Sequence, residues 1–230
     1  MGTIIRVTTV GLGTACLAVG LAGCAPTHQA RSVKPAGFLG DYSRLQPGKE
    51  GEALLVYRNA NAQWRKYDKM LIEPVTIWGG GAKSGLLMDV PADEEQVLAD
   101  YLDASLRNAL GKDYKLVDRP GPGVMRLRVA ITEAEGSTVP LDLASTVIPQ
   151  IRTLSTAKRI ATGTDLFVGK AGIEGELKDS LTDERLAAAV DRRVGQKSVE
   201  GVGNTWGDVE DAFDQWAERL RARLAQLRAS

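Results

Sequence analysis

The sequence is nearly without the side chains that supply most enzymes with reactive nitrogen and sulfur. It holds one histidine, His28, and two cysteines, Cys16 and Cys24, all within the first 28 positions. From Gly37 onward neither residue type occurs. That stretch therefore lacks the parts for a Ser-His-Asp or Cys-His nucleophile and for the usual zinc ligand sets. Charge bias is missing too, with 29 Lys+Arg against 29 Asp+Glu. Binding to nucleic acid needs a clustered basic surface, so a nucleic-acid partner is not expected. Internal repeats are absent. A membrane-crossing helix needs about 20 strongly apolar residues. The one uncharged stretch of that size, Val7 to Ala30, carries glycines at 11, 13, 20 and 23, each weakening a helix by about 1 kcal/mol relative to Ala.

What that stretch does hold is a leader. Arg6 precedes a short apolar segment from Val7 to Leu21, which ends in Leu21-Ala22-Gly23-Cys24. This resembles a bacterial lipoprotein signal. The resemblance implies cleavage between Gly23 and Cys24, with a covalent diacylglycerol and an N-acyl chain such as palmitate on Cys24 and no other cofactor. Two or three acyl chains anchor far more firmly than one. Cleavage also removes Cys16, so no intramolecular disulfide is possible and the domain must rely on its core. Ala25 and Pro26, rather than Asp, follow the cysteine. By resemblance to lipoprotein sorting rules, this implies the outer membrane of a Gram-negative bacterium, facing the periplasm. The expected organisation is a signal peptide at 1–23, a lipidated tether at 24–36 and one periplasmic domain at 37–230. A tether of that length reaches at most ~40 Å when extended.

Within the domain, Phe38, Leu39, Tyr42 and Leu45 form an apolar cluster ahead of Pro47-Gly48. Burial on the core and a partner-binding patch are both open to it. Lys69 to Trp78 reads as a strand, with Pro74 marking an edge or a bulge. Asp93 is placed to cap a helix whose apolar face is Val97, Leu98, Tyr101, Leu102, Leu106, Ala109 and Leu110, and Gly111 ends it. A short strand at Tyr114–Asp118 leads through Pro120–Gly123 into a clean alternation. Met125, Leu127, Val129 and Ile131 point one way, and Arg126, Arg128, Ala130 and Thr132 the other, which predicts one buried and one wet face. Phe167, Ala171, Ile173 and Leu177 oppose Lys170, Glu174, Glu176 and Lys178, and with Arg185–Arg193 they form an antiparallel hairpin. The last helix opens at Asn204 or Thr205. It carries Trp206, Val209, Phe213, Trp216, Leu220, Leu224 and Leu227 as its core stripe, acids first and arginines last.

The expected fold is α+β: a mixed, largely antiparallel sheet of about five strands with two main helices packed on it, plus an irregular or helical insert. Gly37–Gly48, Val56-Tyr57, Trp64, Tyr67-Asp68-Lys69, Pro74-Val75 and Val190–Arg193 together resemble the uncharacterised bacterial lipoprotein family known as domain of unknown function 3313. The resemblance spans nearly all of the mature chain and brings no catalytic residues with it. In architecture the domain also looks like periplasmic lipoproteins that activate cell-wall synthases or assist lipid transporters, an analogy of fold alone.

Gly79–Ser84 lacks the glycine pattern of a phosphate loop, and Gly201–Trp206 lacks the last glycine of a dinucleotide fingerprint. Glu133, Glu135, Glu174, Glu176, Asp179, Asp183 and Asp191 gather near strand ends. Two of them, such as Glu174 and Asp191, could in principle act as acid and base on an envelope polymer; their spacing reads instead as solvated charge on the wet face. Leu143, Val147, Ile151 and Leu154 repeat at helical spacing in the insert. With Phe38, Leu39 and Tyr42 they are the candidate partner surface, although a helix covering the sheet is the blander alternative. The expected protein is a non-catalytic, lipid-anchored binding or accessory module of the envelope with a protein partner. The alternatives are an accessory lipoprotein of an ABC-type lipid transport system and a carboxylate-based hydrolase.

Overall fold

The computed structural model describes residues 27–79, 92–135, 169–195 and 206–229. Its centre is three long antiparallel strands: β7 (Val124–Glu135), β8 (Lys170–Asp179) and β9 (Arg185–Gly195). β1 (Thr27–Gln29) and β3 (Leu55–Arg58) both pair antiparallel with β9, and β2 (Gln46–Pro47) with β3. On the other side β4 (Lys69–Ile72) and β5 (Thr76–Ile77) run parallel to β7, and β6 (Lys115–Leu116) parallel to β4. The result is one mixed sheet of nine strands among the described residues. The class is the expected α+β, but the strands exceed the expected five because β1, β2 and β3, of two to four residues, leave no periodicity to read and the expected Lys69–Trp78 strand is split in two.

The stretch at Lys69–Trp78 is broken into β4 and β5 by Glu73-Pro74-Val75. Proline has no N–H to give the ladder, and both halves still pair with β7. Helix α1 (Ala92–Leu110) starts one residue before the expected cap at Asp93. It ends at Gly111, whose amide donates to the Arg107 carbonyl (2.9 Å). Helix α2 spans Gly207–Ala229; its expected opening at Asn204 or Thr205 lies outside the described residues.

The two helices lie side by side on one face of the sheet and run in the same direction, as the contacts Trp206–Glu94, Tyr101–Asp214 and Arg221–Asp113 show. Their apolar stripes meet Met70, Ile72, Met125, Leu127, Ile131 and Leu177 in one core, with Leu98, Leu102, Leu110, Phe213 and Leu224 wholly or almost wholly buried. Val97 is a correction to the expected face, being 62% exposed. A helical stripe is wider than the surface that covers it, and Val97 lies at its margin.

The face expected to be wet is not. A strap from Val33 to Leu45 crosses it, packing Leu39 on Tyr57, Ala188 and Val190, with Val33, Phe38, Tyr42 and Leu45 around them. Ala130 and Thr132 are buried beneath this layer of the fold. A bulge between Ile131 and Glu133 shifts the alternation, so that Ala134 joins the helix-side core and Glu133 turns to the strap side. Thr27–Gln29, expected in a free polar arm, is instead a strand, and Ala30 continues it by donating to the Arg192 carbonyl (2.8 Å).

Candidate functional site

The carboxylates named from sequence are where the structure departs most from expectation. Strand alternation puts Glu174 and Glu176, and the β7 bulge puts Glu133, on one face of the sheet, but that face is covered by the strap, and all three are buried. A buried carboxylate must be paired or hydrogen-bonded, and each of these is.

Glu174, on the central strand β8, has no exposed surface. It accepts hydrogen bonds from the amide of Ala36 (2.5 Å), the amide of Leu39 (3.2 Å) and the hydroxyl of Tyr42 (2.5 Å). The Tyr42 oxygen in turn accepts from the amides of Gly37 (2.8 Å) and Leu39 (3.1 Å). Burial, and then the bond to Glu174, push the Tyr42 phenol up to about 12, so it remains a proton donor at any physiological pH. Two residues along, Glu176 meets Arg128 Nη1 (2.7 Å), Arg185 Nε (2.8 Å) and Lys178 Nζ (3.3 Å). Arg185 spends its other nitrogens on the strap, donating to the carbonyls of Asp41 (2.7 Å) and Leu39 (2.8 Å). The charged face of β8 is thus a fastening for residues 36–42.

Further along, Arg192 makes a bidentate pair with Glu133 (2.5 and 2.7 Å). The pair spans Gly172, which stands opposite both residues. A Cβ there would lie 3.0 Å from the Glu133 Cβ and from the Thr132 hydroxyl, so a side chain at this position would crowd the bridge. Glu135 pairs with Lys170, and Asp183 with Arg126 and Lys178.

Asp191 faces the other way. It stands opposite Ile173, whereas Glu174 stands opposite Val190, so the two project from opposite faces of the sheet. They cannot flank one bond as acid and base. Asp191 accepts from Trp216 Nε1 (2.7 Å), Gln29 Nε2 (2.7 Å) and the Leu54 amide (3.2 Å), joining α2, β1 and the approach to β3. Arg193 on the same face donates to the Thr27 hydroxyl (2.9 Å) and carbonyl (2.7 Å). Burial and the nearby Arg219 pull the Arg193 guanidinium down to about 10, still charged at neutral pH. Asp179, at the far end of β8, accepts from Tyr67 (2.8 Å), Leu181 N and Thr182 N (both 3.0 Å) and meets Lys66 at 3.2 Å. Burial opposes its charge, but those donors outweigh it and hold the carboxyl well below the usual range.

Of the expected partner surface, Leu39 is buried and Tyr42 turns its hydroxyl inward, because Glu174 must be satisfied. Phe38 is half-buried at the strap's edge, its ring edge-on to Trp78 (5.6 Å between ring centres) and the Arg128 guanidinium 5.0 Å from the Phe38 ring centre. Trp78 is 37% exposed and donates to the Ala36 carbonyl (3.1 Å). Sequence reading passed over Trp78 and Arg185; their only signal was an aromatic at a strand end and a cation beside a turn. Cys24, Gly23, Leu143, Val147, Ile151 and Leu154 lie outside the described residues, as does Phe167. A shallow, wide-open groove of about 670 Å³ runs along Leu71–Pro74, Arg107 and Lys115–Asp118 at the β6 edge. Among the described residues no group of His, Cys, Asp and Glu could hold a metal ion, and no helix is long and apolar enough to cross a membrane.

These features define the class: a mixed-sheet α+β domain with paired helices on one face and an N-terminal strap fastened through buried carboxylates on the other. The chain belongs to the family described as Protein of unknown function (DUF3313), whose model matches residues 34–220. No match is found among curated proteins. Among solved structures the chain is similar to the PelC dodecamer from Paraburkholderia phytofirmans, with 12% identity, 72% of this chain and 96% of that chain covered, and a TM-score of 0.38. A protein of Xanthomonas campestris assigned to the DUF330 family is 11% identical over 75% of this chain and 93% of its own, with a TM-score of 0.42. One from Caulobacter crescentus, named as a lipoprotein, is 15% identical over 58% of this chain and 84% of its own, with a TM-score of 0.33.

Proposed function

We propose that this chain is a lipid-anchored, non-catalytic protein of the Gram-negative envelope, held to the outer membrane through acylated Cys24, whose periplasmic domain binds another envelope component. One observation carries the reading: the two carboxylates best placed for chemistry are engaged in holding the fold together, Glu174 by three donors of the N-terminal strap and Asp191, on the opposite face, by Gln29, the Leu54 amide and Trp216. The same fastening leaves Phe38 and Trp78 as an aromatic corner beside Arg128 at the strap's edge. Surface aromatics with an adjacent guanidinium are the residue types that dominate protein–protein contacts.

Two measurements test this. Cys24→Ser is expected to abolish incorporation of labelled fatty acid and to leave the leader uncleaved; unchanged acylation refutes the anchor. A photo-crosslinking residue in place of Trp78 is expected to trap one dominant envelope protein in intact cells, and the same residue in place of Val97, exposed on α1, is expected to trap none. Equal yields at the two positions would remove the aromatic corner as the binding surface.

A further inference from the structure

We infer that one pole of the sheet, where Thr27, Gly169 and Gly195 meet, is seated on a phospholipid bilayer, with the strands rising from it and the Asp179–Glu184 turn carried to the far, aqueous side. The inference rests on the acylation of Cys24 proposed above and adds an orientation to it.

The argument starts from the length of chain between anchor and sheet. Only Ala25 and Pro26 separate Cys24 from Thr27. Three residue steps extend at most about 10 Å. A free arm over 24–36 would let the domain wander; a strand beginning at Thr27 does not. Thr27 stands opposite Gly195 at the end of β9. It is buried, held by Arg193 through its hydroxyl and its carbonyl, and by Gln215 Nε2 (3.0 Å). The lipidated residue is thereby tied to one corner of a rigid body.

The topology then gathers other chain positions at that corner. Glu135 stands opposite Lys170, and Lys170 opposite Val194, so β7 ends, β8 begins and β9 ends at this same pole. The first turn of α2 closes it. Asp208 accepts from the Gly169 amide (3.0 Å), and a Cβ on Gly195 would fall 2.1 Å from the Asp208 carboxylate, so glycine is what lets helix and strand end meet there. α1 starts beside it, through the Trp206 Nε1 bond to Glu94 (2.7 Å).

The opposite pole carries Lys66, Asp179, Arg126, Lys178 and Asp183, with the Asp183 side chain 61% exposed. At about 3.3 Å per residue the ten residues of β8 put the two poles roughly 33 Å apart. With the anchor three residue steps from Thr27 and the Asp179–Glu184 turn at the other end of β8, the bilayer meets the Thr27 pole.

Fluorescence energy transfer from the full acylated chain in vesicles of phosphatidylethanolamine and phosphatidylglycerol, with the acceptor on the lipid headgroups, tests this. Single donors are attached at His28→Cys, Glu135→Cys or Leu181→Cys, all exposed positions; acylated Cys24 has no free thiol to react. Transfer is expected to be several-fold higher from positions 28 and 135 than from 181. Equal transfer from all three, or more from 181, overturns the orientation. Mass spectrometry of the Cys24 peptide separates the two readings. An acylated chain with equal transfer loses the orientation alone, and a chain without the acyl mass loses the anchor and the orientation together.

Discussion

Glu174 is the residue on which the N-terminal strap depends. A carboxylate with no exposed surface is tolerated because two amides and a phenol, all from residues 36–42, donate to it. Removing one donor from a buried charge costs about 1.5–3 kcal/mol. Tyr42→Phe is therefore expected to lower the unfolding free energy in urea by about 2 kcal/mol and to speed proteolytic cleavage after Arg44. Asp179 sets a pH dependence of definite sign. Its native pKa lies below the ordinary carboxylate value, so its contribution is fully present above the unfolded pKa of about 3.9 and is lost as pH falls through the native value. Asp179→Asn is expected to shift the urea midpoint downward at pH 7 and to shrink the difference from the natural chain at pH 3. A difference that grows on acidification would contradict the assignment. Both partners of the Tyr42–Glu174 contact were legible as candidates in the sequence. Their contact, between residues 132 positions apart, was not, because no local periodicity records a long-range partner.

The helices and strands were read with uneven success, for identifiable reasons. Both helices carry long stripes at a period near 3.6, and Leu98, Leu102, Phe213 and Leu224 are buried as that period requires. Phe213→Ala is expected to cost about 3–5 kcal/mol, the range for truncating a buried aromatic. Val97→Lys should change stability by less than about 0.5 kcal/mol, because the side chain stands in solvent; chemical denaturation of the two variants separates the stripe from its margin. The long strands β7, β8 and β9 were also legible as alternation. β6 was legible within Tyr114–Asp118 and β5 as the end of Lys69–Trp78, but β1, β2 and β3 were not: they have two to four residues each, too few to show a period. The wet face was misread for a related reason. Alternation of charged and apolar residues reports two faces, but not whether a distant segment covers the charged one.

At the scale of the molecule, the N-terminal segment forms a third layer of the fold rather than an arm leading to it. Residues 27–45 supply β1 and the strap, cover Ala188 and Val190, and satisfy Glu174. Deleting 27–45 is expected to expose that apolar surface and a buried carboxylate together. Increased binding of a hydrophobic dye and loss of a single cooperative unfolding transition would report it; unchanged unfolding would show the strap to be dispensable. By itself the sequence determined the α+β class, the two helix stripes, the β8–β9 hairpin and the family, because periodicity and motif are local properties carried by neighbouring residues. Only the tertiary structure decided that Glu133, Glu174, Glu176, Asp179 and Asp191 are buried fasteners, that Glu174 and Asp191 face opposite ways, and that the chain after Pro26 enters the sheet at once. Those are matters of register and of contact between segments distant in the chain, 138 residues apart for Ala36 and Glu174, which are set when the whole chain packs.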